Sequence, residues 1–138
     1  MTVEYSATLN ALSALAARVQ AATADTVDEA VEVLREQIQE NLTASHYPPA
    51  SEPGTPPAYR SGFLHDNVYA TSGPTDTGGY GEVWPSTVYA RIQELSGWAG
   101  RGHRSFLPAR PYVEPARNEQ LDHIGQIAIA RIGAAIGG

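Results

Sequence analysis

Residues 47–59, YPPASEPGTPPAY, hold five prolines and a glycine, and this tract constrains the chain more than any other. Proline has no backbone N–H and its ring clashes with the preceding helical turn, so neither an α-helix nor a central strand can run through it. The tract must be an extended or irregular arm. It separates a helix-patterned N-terminal segment from a mixed remainder. It is also longer than the usual connection in a compact domain, which predicts an arm that moves or reaches a neighbour.

Ahead of the arm, Leu9, Leu12, Leu15, Val19 and Ala22 recur at spacings of three and four, predicting an amphipathic helix over 6–22. Thr26 and Glu29 have the form of a capping box, and Val27, Val31, Leu34, Ile38 and Leu42 continue at helical spacing. The pattern leaves open whether these are two helices or one long helix with a kink near Asp25. On a helical wheel Glu29, Glu32, Glu36 and Glu40 gather opposite the stripe of Val27, Val31, Leu34 and Ile38.

Beyond the arm, GFLHDNVYATS reads as a short helical turn leading into a strand, GPTDTGG as a hairpin turn and YGEVW as the return strand. PSTVYARIQELSG has the proline start, one-sided Val88, Ile92 and Leu95, and glycine stop of a short helix. WAGRGHRS reads as a glycine-rich loop. In the following LPARPYVEPAR, Pro108 and Pro111 push Leu107 and Arg110 away from helical geometry, making Phe106 to Tyr112 a stiff extended strap. Pro115 suits the first turn of a helix, and Glu114 beside it is favoured by the helix dipole. Leu121, Ile124, Ala128, Ile132 and Ala135 then mark a closing helix. Ile127 and Ile129 widen its apolar arc beyond one core contact, which either a small core or a neighbouring subunit would cover. The expected fold is one α+β domain over 1–138, with N-terminal helices, a small antiparallel sheet or hairpin, a short helix, the extended strap and a C-terminal helix.

Composition narrows the function. The 138 residues include no cysteine, so disulfides and thiolate metal sites are excluded. A formal charge of −6 argues against a protein whose main task is gripping nucleic acid, since that grip depends on neutralising phosphates. No segment has the order of a signal peptide or the apolar length of a membrane span. His46, His65, His103 and His123 are scattered, without the i, i+4 pairing of a helical metal site. His65 and Asp66 adjoin in sequence, which alone does not bring their side chains together. Neither a nucleophile-elbow nor a phosphate-loop pattern is present, so neither catalysis nor a cofactor is expected.

Three elements carry a resemblance: Ser61, Gly62 and Leu64; Tyr89, Ala90 and Glu94; and Ala109, Arg110, Pro111 and Tyr112. Their order from about residue 60 to the end resembles the neck or tail-completion proteins of long-tailed bacteriophages, the group related to minor tail protein Z. In that family a Thr-Gly-Leu-like element precedes the sheet, a Tyr-Ala pair precedes a Glu, and an Ala-Arg-Pro-aromatic element precedes the last helix. The chain departs from the pattern where Phe63 stands between Gly62 and Leu64, and at Leu95-Ser96 ahead of Gly97.

The resemblance implies a structural subunit of the head-tail connector in the virion, assembled in the host cytoplasm. It would form a ring of about six or twelve copies that contacts connector or stopper and tail-tube or terminator proteins. Double-stranded DNA would pass without sequence-specific contact, and no membrane is involved. A tail terminator capping the tube is the alternative, and a small nucleic-acid-binding module the third reading. Within this frame Tyr89, Glu94, Trp98, Phe106, Arg110, Pro111, Tyr112, Ile127 and Ile129 are candidate subunit contacts, the aromatics Tyr89, Trp98, Phe106 and Tyr112 reading equally well as core, with Arg110 and Glu94 attractive as an ion pair. Glu29, Glu32, Glu36 and Glu40 are either a solvated face or a channel lining whose charge keeps DNA from adhering. Arg101 and Arg104 are candidate contacts to the DNA backbone. The arm at 47–59 and the loop from Gly97 to Ser105 are the expected reaching elements.

Overall fold

A computed structural model describes residues 2–137, with side chains from Ser6 onward. The chain is α+β. Its elements run α1 (Thr2–Asn41), α2 (Phe63–Asp66), β1 (Val68–Thr75), β2 (Gly78–Pro85), α3 (Ala90–Leu95), β3 (Gly97–Ala99), β4 (Ser105–Leu107) and α4 (Val113–Gly137). The strands form two separate two-stranded sheets, β1 with β2 and β3 with β4.

The two expected N-terminal helices are one. α1 runs through Asp25 without a break, and the expected capping box at Thr26 is not formed. Instead the Thr26 hydroxyl donates to the carbonyl of Ala22 at 2.7 Å, as Thr23 does to Val19 at 2.8 Å. Each threonine thus satisfies its hydroxyl inside the helix, which removes its tendency to start a new one.

Contacts divide the described residues into two compact units. One takes those of Met1–Val31, Thr71–Glu82 and Asp122–Gly138; the other takes Glu32–Ala70 and Val83–Leu121.

In the first unit, β2 lies against α1. A Cβ on Gly79 would come within 2.9 Å of the Ala24 Cα, a helix backbone atom that cannot swing aside. The hairpin is pinned by Ser72 Oγ donating to Asp28 Oδ1 at 2.6 Å and by Gln20 Nε2 donating to the Asp76 carbonyl at 2.8 Å. Arg131 of α4 forks onto Glu29 of α1, at 2.8 and 2.6 Å. Arg18 Nε donates to the Ala135 carbonyl at 3.2 Å, supplying the cation that the last turn of α4 lacks. Gly79→Ala is expected to lower stability by about 1–3 kcal/mol, because the added methyl forces strand and helix apart. An unchanged denaturation midpoint in urea would mean that the strand does not rest on the helix.

The second unit holds the larger core, formed by Ile38, Leu42, Val68, Tyr112 and Ala116, with Leu64, Val83 and Val113 packed against it. Three polar contacts line its edge: Asn41 Nδ2 donates to the Tyr112 carbonyl at 3.1 Å, Gln37 Nε2 to Asn41 Oδ1 at 3.0 Å, and Gln120 Nε2 to Gln37 Oε1 at 2.7 Å. Gly62, just ahead of α2, has φ 80°, and a Cβ there would strike the Tyr59 hydroxyl. Glycine meets both demands, the left-handed backbone and the close approach.

Candidate interaction surface

The proline tract is not a free arm. Its base is closed by Tyr47 N donating to the Tyr59 carbonyl at 2.8 Å and Tyr59 N to the Ser45 carbonyl at 2.7 Å, making a compact Ω-type loop. Gly54 N donates to the Ala109 carbonyl at 2.8 Å, and Arg110 Nε to the Ser51 carbonyl at 3.0 Å. Loop and strap therefore hold each other. Arg60 completes the arrangement with its guanidinium 4.6 Å from the Tyr47 ring centre, a cation–π contact.

The expected Arg110–Glu94 ion pair is absent, and both residues do something else. Arg110 fastens the strap to the loop through Ser51. Glu94, from α3, caps α4: its Oε2 accepts from the backbone N–H of Tyr112 at 2.8 Å and of Val113 at 3.0 Å, and its Oε1 from Glu114 N at 3.0 Å. A helix start exposes N–H groups without intrahelical partners, and a carboxylate is the best acceptor for them. Arg110 N donates to the Gln93 carbonyl at 2.6 Å, so the α3 backbone beside Glu94 also holds the strap.

Tyr112 is not a subunit contact. It is fully buried in its own core, with its hydroxyl 3.4 Å from the Ala90 carbonyl. Burial first, then the charge of Glu94 and the neighbouring Tyr89, hold its phenol above the usual tyrosine range. Pro111 is half-buried in the strap. Tyr89 sits at the rim of a cleft of about 340 Å³, its ring 6.4 Å from that of Phe63. The same cleft holds His65, whose Nδ1 lies 2.8 Å from Asp66 Oδ1, so these adjacent side chains do meet. Among the described residues no group of three or more histidines and carboxylates is placed to hold a metal ion.

The segment read as a glycine-rich loop is a small hairpin. β3 and β4 are antiparallel, with Gly97 opposite Leu107, Trp98 opposite Phe106 and Ala99 opposite Ser105. Trp98 and Phe106 pack edge to face at 5.4 Å between ring centres, yet remain 58% and 54% exposed. The tip between the strands carries Arg101, His103 and Arg104, all exposed. Neither arginine has an ion pair among the described residues. Aromatic residues on either side of a short loop containing Gly are a hairpin signal that the sequence does carry.

The four glutamates divide. Glu29 is paired with Arg131 and Glu32 with Arg35, leaving Glu36 and Glu40 exposed without ion pairs among the described residues. Only two of the four therefore present unneutralised charge among the described residues. In the first unit Leu9, Leu12, Ile129 and Ile136 are all more than half exposed, while Ile127 is half-buried. Both α1 and α4 thus present large apolar side chains to solvent within this unit. Among the described residues no helix is long and apolar enough to cross a membrane. Comparison with family models, curated proteins and solved structures gave no match to this chain.

Proposed function

We propose that the chain is a structural subunit of a bacteriophage head-tail connector, working by assembly into a ring through which DNA passes. One observation supports this reading most: the three elements that carry the resemblance interlock. Leu64 packs on the core that holds Tyr112, the Tyr112 hydroxyl meets the Ala90 carbonyl, and Glu94 grips the backbone from Tyr112 to Glu114. Residues matched separately in sequence thus act as one physical unit, whose spacing is dictated by mutual contact. The unit braces the strap and the root of the hairpin, both rigid enough to be used in repeated contacts.

The exposed aromatic pair and the exposed apolar helix residues supply surface for neighbours. Interrupting the coding sequence in a phage that carries it is expected to give DNA-filled heads and finished tails that fail to join. Fully infective particles would reject the proposal, and tails of unregulated length would assign the chain to the terminator position instead.

A further inference from the structure

We propose that the β3–β4 hairpin of one copy docks on the Glu36–Glu40 face of α1 in a second copy. The inference deepens the ring reading and rests on it for closure of the ring, while the pairwise contact stands on the chain's own surfaces.

From Gly97 to Val113 no acidic residue occurs, while three of the nine basic residues do, in a chain of net charge −6. Arg110 is half-buried and held by the Ser51 carbonyl, so the exposed positive charge is concentrated in Arg101 and Arg104 at the hairpin tip. Behind them Trp98 and Phe106 offer an exposed, braced aromatic pair. Tryptophan and arginine dominate binding energy at protein interfaces, and their loss of freedom here is already met by the hairpin.

The complementary surface is on the same chain. Glu36 and Glu40 lie one helical turn apart, exposed, and half-buried Val33 lies one turn before Glu36 on the same side, where an aromatic side chain can cover it. Glu32, beside them, is already neutralised by Arg35. Hairpin and helix patch are unlike, so a single contact leaves one hairpin and one helix face open, and its head-to-tail repetition is the kind that closes into rings. A polyanion is the competing occupant of the arginines. The net acidity of the chain disfavours it, as does the edge-to-face packing of the two rings, which leaves no pair of parallel faces for bases.

The test uses charge exchange in the full-length chain, because Trp98 and Phe106 also brace the hairpin and their removal could unfold it. Sedimentation velocity at low ionic strength is expected to show concentration-dependent association of the native protein, weakened by added salt. R101E/R104E and E36R/E40R, each folded by circular dichroism, are each expected to weaken association about 100-fold or more. Mixing the two variants should restore it, since each hairpin then meets a helix of opposite charge on the other variant. A monomeric native protein across the concentration series, variants that associate like the native chain, or a mixture that stays dissociated would each overturn the proposal. So would binding of a short DNA duplex that R101E/R104E abolishes while self-association is untouched. Association of purified copies is read independently of head-tail joining in particles, so each reading can fail alone.

Discussion

Glu94→Ala is expected to lower the unfolding free energy by about 2–4 kcal/mol, a large loss for a half-buried polar side chain. The carboxylate accepts three backbone N–H groups at the start of α4, and its contacts with those of Tyr112 and Val113 are partly buried. Truncation removes the carboxylate from all three donors at once. Glu94→Gln keeps one carbonyl oxygen and is expected to lose roughly half as much. Chemical denaturation checks the ranking, and amide exchange at Tyr112 and Val113 locates it. If Glu94→Ala denatures at the native midpoint, α4 does not depend on this cap.

Tyr112→Ala carries the other large effect, a loss of about 3–5 kcal/mol, because it empties the largest fully buried side chain of the second unit's core. Tyr112→Phe keeps the ring and is expected to cost about 1 kcal/mol or less, since the hydroxyl contact of 3.4 Å is long. Both variants also lose the native phenol's response to alkali. In the unfolded chain the phenol ionises near its ordinary value of 10.0, while in the fold it stays protonated to higher pH. The stability this contributes is complete below that value and declines as pH rises above it, because only the unfolded state gains from ionisation there. Tyr112→Phe removes that share of the alkaline decline. A decline as steep as the native one would assign it to other groups.

The elements with strong local signals were legible in the sequence. Val31, Ile38 and Leu42 recur at helical spacing and are buried, and Asp76-Thr77 turns the first hairpin within the stretch read as a turn. Local patterns cannot say where a side chain finds a distant partner, and the differences lie there. Thr26 looked like a helix start because its sequence does not reveal that its hydroxyl would bond Ala22 within the helix. Glu94 and Arg110 have opposite charges and invited pairing, but backbone donors at a helix start compete better for the carboxylate than an arginine that a loop carbonyl already holds. The proline tract was legible as irregular, yet its closure at Tyr47 and Tyr59 depends on hydrogen bonds that no composition rule predicts.

The most direct measurement is a density map of the assembled particle containing this chain. The account predicts copies in a closed ring between head and tail, each Trp98–Phe106 hairpin seated on the α1 face of the next copy. Hairpins projecting into solvent, with adjoining copies untouched, would contradict it.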